Sequence, residues 1–235
     1  MQRQPSTRKR LADKLFPQDC LLCGDPIAEL LLCVACRADL PLLAATRCPV
    51  CALPTAQGTP CGRCIANLPG FDATLAAMAY AYPLEPLILH YKYGTGIALA
   101  SLFADAIDGA IPAEGLPDVV TAIPLSRARL VERGFNQALE IAKPLAARRG
   151  IPLRADLCVR VRHTGAQADL PYRERRKNVH GAFACIEDLS GMTVAVVDDV
   201  MTTGSTLDEF ARTLKKWGAA RVINWVLART LPGHR

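Results

Sequence analysis

From residue 71 onward, apolar positions follow two rhythms in turn. Short runs in which nearly every residue is apolar or β-branched alternate with longer stretches in which apolar residues return every three or four positions. The short runs at 118–123, 192–197 and 221–227 predict strands, and 71–82 predicts a strand or hairpin. The stretches 84–93, 97–111, 135–149 and 205–217 predict helices. Leu99, Leu102, Phe103 and Ala106 share one face of the second helix, while Gly150 with Pro152, and Gly218, stop the third and fourth. Strands alternating with helices predict an α/β fold, a mostly parallel sheet covered on both faces. In such sheets ligands sit at the carboxyl ends of the strands.

The first 70 residues show no such rhythm and carry cysteines instead. Cys20, Cys23, Cys33 and Cys36 form C-x2-C-x9-C-x2-C, and Cys48, Cys51, Cys61 and Cys64 repeat it 28 positions later. Two C-x2-C knuckles close a tetrahedral four-thiolate zinc site with no open position for water, which makes such a site structural. Gly24, Pro49 and Gly62 lie in or beside the knuckles, where tight turns bring amides toward thiolates. Two structural zinc sites are therefore expected. One zinc per repeat is preferred over a cross-braced arrangement, because each repeat is complete. Cys158 and Cys185 lack partners at ligand spacing and read as buried small apolar residues. The expected organisation is a basic segment 1–17, a double zinc ribbon 18–68 and an α/β domain 69–235.

Charge adds one feature. The formal net charge is +6, which two four-thiolate zinc sites of charge −2 each would bring to about +2. Between Arg127 and Lys177, however, thirteen Lys or Arg face five Asp or Glu, a density that suits a polyphosphate or a nucleic-acid backbone. The start of the chain has no signal-peptide core, and no apolar run is long enough to span a bilayer. A cytoplasmic protein without membrane insertion is expected, and in a reducing compartment paired cysteines favour metal over disulfides.

The segment 194–206, Val-Ala-Val-Val-Asp-Asp-Val-Met-Thr-Thr-Gly-Ser-Thr, carries the clearest chemistry. A strand delivers Asp198 and Asp199, and a loop of Thr202, Thr203, Gly204, Ser205 and Thr206 opens a helix. Glycine lets amides curl round an anion, hydroxyls add donors, and the helix N-terminus adds unpaired N–H groups and a favourable dipole. That is a monophosphate cradle. Ionised carboxylates beside it can accept hydrogen bonds from vicinal sugar hydroxyls. A P-loop would need a Gly-Lys pair, and none occurs; Gly94-x-Gly96 lacks the third glycine of a dinucleotide site.

This thirteen-residue segment resembles the ribose-5-phosphate signature of type I phosphoribosyltransferases. The chain from about Cys20 to Leu227 resembles the ComF family of competence-related proteins, GntX-like members included. Further marks of that family are Arg133-Gly-Phe-Asn-Gln137, Thr164-x2-Gln167-x2-Leu170, Arg175-x2-Asn178 and Gly181-Ala-Phe183. The resemblance implies a type I phosphoribosyltransferase fold behind a double zinc ribbon, binding 5-phosphoribosyl-1-pyrophosphate with magnesium. It places the pyrophosphate loop at 124–129 and a mobile flap at 160–178. Arg127 and Arg133 would join Asp198 and Asp199 in catalysis, and Arg129, Asn136, Arg175 and Lys92 would help bind the donor. Asn136 could equally cap a helix, and Lys92 could serve interfacial packing. The reaction would be that of a pentosyl-transferring glycosyltransferase with an unidentified acceptor. An alternative reading is a non-catalytic factor of DNA uptake that binds single-stranded DNA through its basic region and zinc module and uses the fold for ligand sensing. A third is an adaptor whose ribbons bind a helicase-like partner. Arg37, Arg47 and Arg63 stand in the repeats without an aromatic residue between Cys20 and Cys64, which argues against base stacking there.

Overall fold

A computed structural model describes residues 18–27, 31–93, 96–161 and 180–233. Four strands form a wholly parallel sheet: β3 (Ala73–Ala79), β4 (Val119–Ala122), β7 (Thr193–Met201) and β8 (Arg221–Arg229), in the order β3-β8-β7-β4. The pleat of β7 sets the two layers. Val194 and Val196 enter one apolar cluster, while Ala195 and Val197 enter the other. One face is covered by α3 (Leu84–Tyr93), α4 (Leu99–Asp108) and α6 (Gln137–Arg149), through residues such as Leu87, Phe103 and Ile141. The opposite face is covered by α7 (Ser205–Lys216), through Leu207, Phe210 and Leu214. It is also covered by a small antiparallel ladder of β5 (Cys158–Arg160) and β6 (Phe183–Cys185).

The N-terminal cysteine repeats are built alike and placed differently. The first holds the two-residue strands β1 (Gln18–Asp19) and β2 (Pro26–Ile27) and helix α1 (Val34–Ala38); the second holds α2 (Gly62–Ala66). Equivalent backbone bonds recur 28 residues on: Cys20 N to Asp25 O at 2.8 Å matches Cys48 N to Leu53 O at 2.7 Å. Gly24 N to Cys20 O matches Ala52 N to Cys48 O, both at 2.9 Å. Cys20, Leu32 and Leu40 join the apolar cluster of one sheet face, whereas Cys48, Cys51 and Cys64 join that of the other.

Several expectations shift. Strand 192–197 extends to Met201, so Asp198 and Asp199 lie within a strand, because β8 continues beside it to Arg229. The helix expected over 97–111 is a 3-10 turn, Gly96–Ala98, followed by α4 ending at Asp108. Half of the expected pyrophosphate loop is helical: α5 (Arg127–Arg133) starts after Ser126, whose hydroxyl accepts from Arg129 N, and ends at Gly134 with φ +78°. Cys158 and Cys185 are buried as expected, but as a disulfide between β5 and β6 rather than as small apolar residues. Neither is free.

Candidate functional site

The sheet has a notch where β4 stops. Its pairing with β7 ends at Ala122 opposite Val197, and Ile123 N reaches back to Val197 O at 3.1 Å. β7 runs on for four more residues, paired on its other side with β8. Past the end of β4, side chains take over the ladder's work: Asp199 N donates to Asp198 Oδ1 at 2.9 Å and Val200 N to Asp199 Oδ1 at 2.7 Å. The two carboxyl groups sit at this notch, and the pleat sends them to opposite faces of the strand.

Asp199 is buried, with Lys92 Nζ 2.8 Å from its Oδ2. Burial alone would raise the Asp199 carboxyl, but the Lys92 charge and hydrogen bond hold it below the usual carboxylate range. Burial likewise works against the Lys92 ammonium, and the Asp199 charge keeps it above its ordinary value. The pair is therefore ionised. Lys92 is placed by its neighbour Tyr91, whose buried hydroxyl donates to Gln137 O at 2.8 Å and whose ring centroid lies 5.3 Å from that of Phe103. Arg133 completes this side. It donates to Gln137 Oε1 at 3.1 Å, and its guanidinium lies 5.6 Å from the Tyr93 ring centroid.

Asp198 behaves in the opposite way. Burial and then the Asp199 charge push its carboxyl up to about 8. Arg160 on β5 feels both Asp198 and Arg129, and burial followed by the Arg129 charge lowers its guanidinium. Arg160 was placed by sequence only at the edge of a flap, and no local spacing signals its approach to Asp198.

The hydroxyl-rich loop joins β7 to α7. Thr203 Oγ1 and Ser205 Oγ are 2.9 Å apart, and Ser205 N donates to Thr203 Oγ1 at 3.3 Å. Gly204 has φ +82° and caps α7 without a side chain; a Cβ there would meet Met201 Cε at 2.6 Å. Thr202 is exposed and Thr206 half-buried. Behind the loop, Arg63 donates to Thr203 O, and buried Arg229 donates to Met201 O at 2.8 Å and to Thr202 O.

Other expected residues fare differently. Arg127 is exposed on the first turn of α5. Asn136 caps α6 by accepting from Leu139 N, and its amide donates to Ile123 O at 3.0 Å, so both ends serve the fold. Arg175 lies outside the described residues, as do Thr164, Gln167, Leu170 and Asn178.

The two cysteine clusters fit zinc. Within each set the four sulfurs lie within 4.8 Å of one another. Cys23 and Cys33 Sγ are 3.8 Å apart and Cys51 and Cys61 Sγ 3.6 Å. A tetrahedron with Zn–S of about 2.3 Å has edges of about 3.8 Å. Amides support the sulfurs as zinc thiolates require: Cys33 N to Cys20 Sγ and Cys61 N to Cys48 Sγ, both at 3.3 Å. The four sulfurs of each cluster come from one repeat.

Family models agree with this division of labour: one for the double zinc ribbon domain matches residues 11–65, and one for the phosphoribosyl transferase domain matches 136–233. The chain is 37% identical over 158 residues to the DNA utilization protein YhgH of Salmonella typhi, covering 65% of this chain and 70% of that protein. It is 35% identical over 159 residues to Competence protein F of Haemophilus influenzae, covering 64% and 69%. The chain belongs to the ComF family. A solved glutamine phosphoribosylpyrophosphate amidotransferase from B. subtilis aligns at 19% identity, over 58% of the ComF chain and 30% of its own, with a TM-score of 0.40. That likeness is too loose to bear on function. The ComF chain thus joins a structural double zinc ribbon to a type I phosphoribosyltransferase fold. No helix among its described residues is long and apolar enough to cross a membrane.

Proposed function

We propose that this protein binds 5-phosphoribosyl-1-pyrophosphate with magnesium at the notch beyond β4 and serves as a phosphoribosyl-transferring enzyme. One observation carries the reading: β7 outruns β4 and places Asp198 and Asp199 beside a helix whose N-cap, Gly204, has no side chain to offer its amides. The 5′-phosphate accepts from the amides and hydroxyls of residues 202–206, where the dipole of α7 favours an anion. Asp199, fixed by Lys92, accepts from a ribose hydroxyl. Asp198 does the same once its proton leaves. Arg129 and Arg160 lie on the Asp198 side, where cationic groups stabilise the charge that develops on a departing pyrophosphate. Magnesium takes its ligands chiefly from phosphate oxygens and water and would offset that same charge. The chain's own contribution is to hold both phosphate ends and the ribose so that an acceptor meets the anomeric carbon in line. The test is calorimetric titration with the donor and magnesium. Wild-type protein binds, and the variant carrying both Asp198→Ala and Asp199→Ala does not; equal affinity in that variant would refute the assignment.

A second reading, a DNA-binding role in uptake or utilization, draws support from the names of the relatives. Part of the basic surface is already engaged within the protein. Arg47 donates to Ala76 O of β3 and Arg63 to Thr203 O of the loop, so both ribbon arginines make internal bonds. Arg148, Arg149 and Arg154 of the basic stretch pair with Asp105, Asp108 and Glu187. Binding through the remaining cations falls steeply with added salt. Retention of single-stranded DNA that does not change with salt would remove this reading.

A further inference from the structure

We propose that the second zinc ribbon is part of the phosphate-binding apparatus, with Arg229 and Arg63 as positioning residues that carry the geometry of its knuckles to the loop at 201–206. The inference rests on the donor-site reading above and extends it to residues outside the loop itself.

Three consecutive carbonyls of the loop are held from behind. Arg229 Nη1 donates to Met201 O at 2.8 Å and to Thr202 O, and Arg63 donates to Thr203 O. A planar trans peptide points each carbonyl opposite to the N–H of the next residue. Tying back the carbonyls of Met201, Thr202 and Thr203 therefore turns the amides of Thr202, Thr203 and Gly204 the other way, off the guanidinium side of the loop. Those are the amides an anion needs.

The same two arginines belong to the zinc ribbon's surroundings. Arg229 is 1% exposed, and its Nε donates to Cys51 O at 2.8 Å, so one rigid planar group touches the backbone of a zinc ligand and the backbone of the loop. Arg63 stands between Cys61 and Cys64 in the closing knuckle. The first repeat has no counterpart, since the position 28 residues before Arg63 is Ala35. The internal repeat has thus diverged at the residue that reaches the loop. A zinc-fixed Cys51 and Arg63 hold the cradle in its binding shape before any ligand arrives, which limits the ordering cost of binding.

The experiment compares Arg229→Gln, Arg63→Ala and Arg47→Ala with wild type in full-length, zinc-loaded protein. Arg47 serves as control because its bond to Ala76 O ties the same ribbon to β3, away from the loop. Three quantities are read: zinc content, amide hydrogen exchange across 202–206, and affinity for 5-phosphoribosyl-1-pyrophosphate with magnesium. All variants are expected to keep two zinc ions. Arg229→Gln should speed exchange at 202–206 selectively and weaken donor binding about tenfold or more, the effect of losing charge-assisted bonds. Arg63→Ala should move both in the same direction by less, and Arg47→Ala neither. Arg63 is exposed, so its variant decides the matter if Arg229→Gln fails to fold. Wild-type exchange and affinity in Arg63→Ala and in any folded Arg229→Gln would overturn the proposal, as would exchange that rises equally along the whole chain. If wild-type protein binds no donor, the donor-site reading falls alone, and the exchange measurements still decide whether the ribbon sets the loop.

Discussion

Asp198 and Asp199 are chemically identical neighbours with opposite proton affinities, and the difference arises from what each faces across the pleat. Asp199 meets Lys92 and stays ionised; Asp198 is pushed up to about 8 by burial and by the Asp199 charge. A carboxyl raised in the folded state stabilises the fold fully below its unfolded value near 4, and that contribution is lost as pH rises through about 8. Asp198→Asn cannot ionise. Its melting temperature relative to wild type should therefore climb between pH 5 and pH 9, reaching an advantage of about 3 °C at the upper end, measured by thermal denaturation across that range. The same proton must leave when Asp198 accepts from ribose, so donor affinity should tighten from pH 6.5 to pH 8.5, with proton release visible as buffer-dependent binding enthalpy. A second residue-scale contrast lies in the repeats. Gly24 and the equivalent Ala52 both have positive φ, +78° and +58°. Gly24→Ala meets no steric neighbour, so its cost is the left-handed backbone alone, about 1 kcal/mol by urea denaturation. Ala52→Gly gains less, about 0.5 kcal/mol, because removing its buried methyl offsets part of the relief.

At the scale of elements, periodicity found those that bury a face. Helix α3 falls at 84–93 as expected, and every strand of the parallel sheet lies where an apolar run announced it. Ends were less legible, since a strand stops where its neighbour does: β7 passes through two carboxylates because β8 accompanies it to Arg229. Helix α5 was missed because none of its residues is buried, although Ser126 before it and Gly134 after it are ordinary cap signals. The acid pair and the loop at 202–206 could be read from the order of residues in one short segment. Lys92 and Arg160 could not be fixed, because both reach the notch from elements distant in sequence. The β5–β6 ladder also escaped notice. Cys158 and Cys185 are 27 residues apart, with no spacing that signals a pair. A crosslink closing a loop of that length is worth about 3.5 kcal/mol in the chain-entropy account. Cys158→Ala with Cys185→Ala should therefore lower the urea midpoint while leaving both zinc sites loaded. An unchanged midpoint would show that the crosslink adds nothing to the stability of the fold.

On the scale of the whole molecule, the two ribbons look separable in sequence and are not separate in space. Each supplies residues to one of the apolar clusters on the two sides of the sheet. Backbone bonds from Thr74 N to Pro49 O at 3.1 Å and from Ala79 N to Pro41 O at 2.7 Å stitch both repeats along β3. An autonomous module would lose its own structure when zinc is withdrawn and leave the sheet intact, which is what the sequence by itself leads one to expect. The magnitudes point the other way. A four-thiolate zinc site contributes about 10–16 kcal/mol of apparent binding energy to folding, whereas a whole domain is stable by about 5–15 kcal/mol. Cys20, Cys48, Cys51 and Cys64 are core residues, so withdrawing zinc removes an energy comparable to the whole stability of the sheet they pack against. Chelation should abolish hydrogen-exchange protection in β3 and β8 together with that of residues 31–66, in one cooperative transition rather than two. Retained protection in the sheet after both zinc ions have left would show that the ribbons merely rest on it.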